Sequence, residues 1–172
     1  MVALGTAKSE IREAFAFAQA RAAEVGPENV ADFSIGNPSV PAPASVGELV
    51  HRLVDTVDPV QLHGYTPAQG DPSARQALAE DLNRRYGTDY DGDCFYLTAG
   101  AAGALCCALS ALSCPGDQFI TFSPYFPEYK VFVESAGAEL VAVPADITDF
   151  QIDFAAFQAA ITPQTKGVII NS

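Results

Sequence analysis

Positive charge is scarce in this sequence. Nine Lys and Arg stand against 21 Asp and Glu, for a formal net charge of −12. Nucleic acid and anionic membrane surfaces both repel such a chain, so neither is expected as a partner. Acidity of this kind otherwise aids solubility and carries no functional weight. Long apolar runs are missing too, and none approaches the ~20 residues that cross a bilayer. Residues 1–5 are too short for the apolar part of a secretory leader, and Lys8, Glu10 and Arg12 follow at once. A cytoplasmic protein is the expectation. Histidine is scarce, with only His51 and His63, and Cys94, Cys106, Cys107 and Cys114 form no C-x-x-C pair. Cys106 and Cys107 are adjacent on an expected helix and point roughly 100° apart. The pattern speaks against a zinc site or a disulfide framework and for buried free thiols.

What is present describes a globular chain: 172 residues, 49% hydrophobic and 17% charged, long enough to bury a core. Ile11, Phe15, Ala18 and Ala22 recur at helical spacing and predict an amphipathic helix over 9–24. A short extended piece, 30–35, runs into Gly36-Asn37-Pro38-Ser39 and a proline-rich loop, followed by a helix over 46–57. Residues 58–70 read as a loop around Tyr65. Asp71 and Pro72 suit the cap and first position of a helix that runs to about Tyr86 and stops at Gly87. Beyond it the period alternates: strands over 95–97, 118–122, 139–143 and 167–170, with helices over 101–112, 127–135 and 154–161 between them. Phe154, Phe157 and Ile161 give the last helix its expected buried stripe. Alternating strands and helices define an α/β protein with a mostly parallel sheet.

The segment Tyr96-Leu-Thr-Ala-Gly-Ala-Ala-Gly-Ala-Leu105 carries the most chemistry. A strand that turns tightly into a helix leaves backbone N–H groups unpaired at a positive helix start, which makes a phosphate cradle. Small side chains from Gly100 to Gly103 let a ligand approach the backbone. Ala-rich helices after strands also serve as plain packing devices, and on this segment alone both readings stand. A nicotinamide dinucleotide site fails. Gly100 and Gly103 lack the G-x-G-x-x-G spacing, and the next strand ends in Ser123-Pro124-Tyr125 without a carboxylate. A planar phosphorylated cofactor fits better. It needs a cradle, an aromatic face and a donor for a substrate carboxylate, which Gly100–Ala102, Tyr125 and the Gly36 loop could supply. Taken singly, Tyr125 reads equally as a packed surface aromatic, Gly36 as a turn and Tyr65 as a buried loop anchor.

The order of segments decides between these readings. Asp32-Phe-Ser-Ile-Gly-Asn-Pro-Ser39 comes first, then His63-Gly-Tyr-Thr-Pro-Ala-Gln-Gly70 with Arg75. Thr98-Ala-Gly-Ala-Ala-Gly-Ala-Leu105, Ser123-Pro-Tyr-Phe-Pro-Glu-Tyr129 and Ile161-Thr-Pro-Gln-Thr-Lys-Gly-Val-Ile-Ile-Asn171 follow in that order. Together they resemble the N-terminal half of a fold-type I, class I/II aminotransferase that depends on pyridoxal 5'-phosphate. The resemblance implies an incomplete three-layer α/β/α fold with an N-terminal helical segment. Residues 1–45 would be an arm and part of the small domain. Residues 46–172 would be the first part of the large cofactor-binding domain, up to its fourth strand. It also implies that the amides of Gly100, Ala101 and Ala102 hold the cofactor phosphate and that Tyr125 stacks on the pyridine ring. Gly36 would offer its N–H to the substrate α-carboxylate, and Tyr65 would reach the phosphate of a neighbouring subunit in a homodimer. The substrates would be an amino acid and a 2-oxo acid.

The departures are equally specific. The family's Pro-Asn-Asn-Pro-like loop, ring-nitrogen Asp, Schiff-base Lys and carboxylate-binding Arg are expected beyond Ser172, so no catalytic residue is assigned within the chain. Lys8, Lys130 and Lys166 lack a matching context, and Lys166 reads as a solvated turn residue before the last strand. A chain that stops just after a buried-looking strand looks cut, and by itself is expected to be inactive. In the family's topology the strand at 95–97 is separated from the next three, which would leave a gap, unpaired apolar edges and an unstable or insoluble fragment. The alternative is a non-catalytic phosphate-binding or interaction module derived from the same fold.

Overall fold

The computed structural model describes residues 10–36, 40–146, 148 and 151–171. They divide into two compact units, with the junction between Tyr65 and Thr66. In the first unit, helix α1 spans Glu10–Val25 and turns half-buried Ile11, Ala18, Ala22 and Val25 to one side, while Phe15 stays exposed. A single 3-10 turn, Pro27–Asn29, leads into irregular chain, and helix α2 spans Ala44–Thr56. The expected loop over 58–70 contains a short helix, α3, Pro59–Leu62. Its origin is the Asp-Pro signal: the Asp58 carboxylate accepts from the Gln61 N–H at 3.0 Å, and Pro59 is pre-set for the first turn. No described side chain of this unit is buried.

The second unit begins with helix α4, Pro72–Tyr86, capped as its sequence predicts. Asp71 Oδ1 accepts from the Ser73 and Ala74 N–H groups at 2.9 and 3.0 Å, and Gly87 closes the helix in the left-handed region. There follow α5 (Gly100–Leu112), β1 (Gln118–Phe122), α6 (Glu128–Ser135), β2 (Glu139–Val143), α7 (Phe154–Ala160) and β3 (Thr165–Ile169). The three strands form a parallel sheet in the order β2-β1-β3, with Phe119 opposite Leu140 on one side and Gly167 on the other. Central β1 buries Phe119, Ile120 and Thr121. Phe119 packs with Leu109 of α5, Val133 of α6 and Ala138. Side chains alternate along a strand, so Phe122 points the other way, where its ring meets Phe157 of α7 edge-on at 5.2 Å. Helices therefore cover both faces of the sheet.

Four expectations need correction. Phe95 has extended backbone, but residues 95–97 join no sheet among the described residues. The Phe95 N–H donates to the Gly92 carbonyl at 3.3 Å and the Leu97 N–H to the Gln69 carbonyl at 3.0 Å, and neither acceptor lies on a strand. Extended chain becomes a strand only when another strand lies beside it, and none of β1–β3 does. The cysteines are all exposed. Helix α5 is apolar all round, yet its Leu105 and Leu109 side alone reaches the core, and Cys106 and Cys107 are rotated some 100° and 200° away from Leu105. On α7 the expected stripe fails at both ends: Phe154 and Ile161 are exposed, and Ala156, Phe157 and Ala160 face inward. Lys166 belongs to β3, where it is exposed, and not to a turn.

Candidate cofactor-binding site

The cradle is built by the entry into α5. Gly100 has φ +82°, a conformation side chains rarely adopt, and nothing lies within 4 Å of where its Cβ would stand. Thr98 locks the turn from two directions. Its carbonyl accepts from the Gly100 N–H at 3.0 Å, and its hydroxyl donates to the Gly100 carbonyl at 2.9 Å. This bears on the residues named from the sequence. The Gly100 amide is already engaged, so Ala101 and Ala102 hold the first N–H groups of the helix that have no partner among the described residues. Both are exposed.

Topology sets where this helix start stands. Leu109 of α5 packs on Phe119 of β1, and a connection of only residues 113–117 joins the two elements. The helix must therefore run back along the strand. Thirteen helical residues cover ~20 Å and five strand residues ~17 Å, which brings Gly100 level with the carboxyl ends of the strands. Tyr125 comes three residues after β1 ends at Phe122, past a cis Ser123–Pro124 bond, and thus belongs to the same edge. Open parallel sheets bind ligands along that edge. Tyr125 is half-buried, and its side chain has no ring partner or hydrogen bond among the described residues.

In the first unit, Gly36 is exposed, with no atom within 4 Å of a Cβ position and no partner for its N–H among the described residues. Asp32 shapes the approach to it, accepting from the Ser34 hydroxyl at 2.6 Å and the Ser34 N–H at 2.9 Å. Those two bonds, the hydroxyl's first, hold the Asp32 carboxyl below its ordinary range. Asn37, Pro38 and Ser39 lie outside the described residues, as does Lys8. Tyr65 is 108% exposed, which removes the buried loop anchor as its role. The remaining lysines are surface groups, with Lys130 beside Glu134 at 3.8 Å and Lys166 on an outer strand.

Sequence reasoning named Arg75 without a role. The structure buries it almost completely and places its Nη1 2.9 Å from the Gly92 carbonyl and 3.1 Å from Asp93 Oδ1. An arginine in the first turns of a helix that also carries Glu80, Asp81, Arg84 and Arg85 reads as surface charge, and nothing local signals a partner 17 residues ahead.

The profile of the family described as aminotransferase class I and II matches residues 28–172, and the chain belongs to that family. It is 30% identical over 156 residues to an aspartate aminotransferase of Streptomyces avermitilis, spanning 90% of this chain and 38% of that protein. It is 37% identical over 111 residues to a probable N-succinyldiaminopimelate aminotransferase of Mycobacterium tuberculosis, spanning 63% of this chain and 28% of that one. An amino transferase structure from Eubacterium rectale superposes with a TM-score of 0.92 at 55% identity, over 98% of this chain and 43% of that chain. The aspartate aminotransferase of Thermotoga maritima gives 0.84 at 30% identity, over 96% and 43%. The 172 residues thus span well under half the length of these relatives, and their α/β fold is part of the aminotransferase fold.

Proposed function

We propose that this chain is the cofactor-phosphate-binding part of an enzyme that uses pyridoxal 5'-phosphate to move an amino group from an amino acid to a 2-oxo acid. The observation that carries the reading is the α5 start, with its free Ala101 and Ala102 N–H groups and open space at Gly100, in a chain of aminotransferase ancestry. The donors fit the group. Two backbone N–H groups at a positive helix start suit a phosphate dianion, and small side chains leave it room. Bound pyridoxal phosphate would supply the conjugated ring that withdraws electrons from the amino acid's α-carbon.

The chain's own residues bind and orient. Ala101 and Ala102 donate to the phosphate, while Gly100 shapes the turn that aims them. Tyr125 covers one ring face, Gly36 donates to the α-carboxylate that all amino acids share, and exposed Tyr65 donates its phenol proton to the phosphate of a second copy in a homodimer. Amino-acid metabolism, of a biosynthetic kind and in the cytoplasm, is the setting that fits this reaction; no described helix is long and apolar enough to cross a membrane. Absorbance or fluorescence titration with pyridoxal phosphate tests the reading. Saturable binding, weakened by inorganic phosphate and lost in Ala101→Pro, which removes one donor, supports it. Binding unaffected by both sinks it.

The non-catalytic module remains the second reading for the 172-residue polypeptide taken alone, favoured by the surface placement of Lys130 and Lys166. Neither can hold and return a proton at a substrate carbon, so this polypeptide is expected to show no turnover with an amino-acid/2-oxo-acid pair above free cofactor.

A further inference from the structure

The entry to the cradle has an unusual support. Residues 95–98 lead straight into Thr98 and Gly100, yet they lack a strand on either side among the described residues. Two other features take that place. At the front, buried Arg75 donates from one nitrogen, Nη1, to the Gly92 carbonyl and to Asp93, and Gln76 Oε1 accepts from the Gly92 N–H at 3.2 Å. Helix α4 thereby holds the 3-10 turn Gly92–Cys94 that starts the segment. At the back, the Gln69 carbonyl accepts from Leu97, and Gly70 lies so close that a Cβ there would stand 2.7 Å from Leu97 Cδ1. Gly70 also has φ +96°, so a side chain is excluded by conformation as well as by space.

We propose that Arg75 and the Gln69–Gly70 turn are positioning residues for the phosphate cradle: they clamp residues 92–98 and so fix where the Ala101 and Ala102 amides point. The proposal rests on the cofactor reading above for its functional meaning. Its physical logic does not. An amide aimed even 1 Å wrong loses much of a hydrogen bond to phosphate, whereas an extended segment without neighbours would wander by more than that. Arg75 is built for the task. Its burial takes a guanidinium out of water, a cost that good acceptors offset, and only one of its acceptors is charged. Its Nε has no partner among the described residues, so Arg75 is poorly optimised for stability.

The test uses the full chain with Gly70→Ala, Arg75→Met and Arg75→Lys, read by amide hydrogen exchange and by pyridoxal phosphate titration. Exchange over 95–102 is expected to rise in G70A and R75M while β1, residues 118–122, stays protected. The cofactor dissociation constant should rise about tenfold or more, the scale of one lost hydrogen bond to a charged group. R75K can reach both acceptors from its single nitrogen and should restore both readouts. Should R75M fail to fold, Asp93→Ala removes an exposed acceptor and is expected to give the same pattern at smaller size. Exchange over 95–102 that is unchanged, or that rises only in step with 118–122, overturns the clamp. The expected exchange pattern in the variants, together with no saturable pyridoxal phosphate binding by the wild-type chain, upholds the clamp and overturns the cofactor reading.

Discussion

Helix α2 and strand β1 carry comparable apolar side chains and meet opposite fates. Val46, Leu49, Val50 and Leu53 recur on one face of α2, yet Val50 is 54% exposed and none of the four is buried. On β1, Ile120 is 0% and Phe119 4% exposed, with helices on both faces of the sheet. The same contrast separates the two units, since every buried side chain among the described residues lies after Thr66. The lesson is that an apolar pattern specifies a face and not its cover. β1 finds its cover in α5, α6 and α7, all between Gly100 and Ala160. For α2 the described residues hold no such cover, and a 13-residue helix in water is marginal by itself.

The largest effect should come from cutting into the covered region. Ile120→Ala removes a fully buried side chain from the central strand and should cost about 2–5 kcal/mol, read as a shift in the urea midpoint by pulse proteolysis. Leu49→Ala on α2 should cost less than about 0.5 kcal/mol in the same assay. Equal losses would break the contrast between the two regions. Next in size is behaviour in solution. Val168 on the outer strand β3 and Ile170 just after it are exposed, and the strand's far edge has no partner among the described residues. The 172-residue chain alone is therefore expected to associate on concentration, and a sharp cooperative melt from a monodisperse sample would contradict this.

Local order sharpens the comparison further. Amide exchange should be slowest in β1 and fast throughout α2, since opening β1 requires losing the core and opening α2 does not. Protection of α2 equal to that of β1 would mean that its apolar face is covered in solution. The smallest expected effect concerns pH and the α4 cap. The Ser73 hydroxyl, followed by the Ala74 and Ser73 N–H groups, holds the Asp71 carboxyl below the ordinary carboxylate range. A depressed carboxylate contributes stability that is present above its unfolded value and lost as pH falls through the folded one. Asp71→Asn, which keeps a capping oxygen without the charge, should therefore flatten the loss of helicity below about pH 4. Parallel acid melts of the two proteins would show Asp71 irrelevant.

Much of this was legible locally. The bounds of β1 and β2 follow from short apolar runs between turn residues, and both ends of α4 follow from Asp71-Pro72 and Gly87. Gly100, Ala101, Ala102 and Tyr125 could be marked because cradle and aromatic are signalled by neighbouring residues. Three things were not legible. The Thr98 carbonyl engages the Gly100 amide through a turn that sequence does not reveal. The fate of residues 95–97 depends on whether a strand lies beside them. The exposure of Cys106 and Cys107 depends on which side of an all-apolar helix finds the sheet.

The sequence by itself determined the longer helices and strands β1 to β3, how α4 begins and ends, and which residue types could hold a phosphate. These choices rest on backbone sterics, caps and side-chain period, all set within a few residues. Only the tertiary structure decided that Arg75 reaches Gly92, that Gly70 presses on Leu97, and that β1 is buried while α2 is not. Those outcomes join residues 17, 27 and more positions apart in the chain. Burial and hydrogen bonding between distant segments are fixed by packing, which no local pattern encodes.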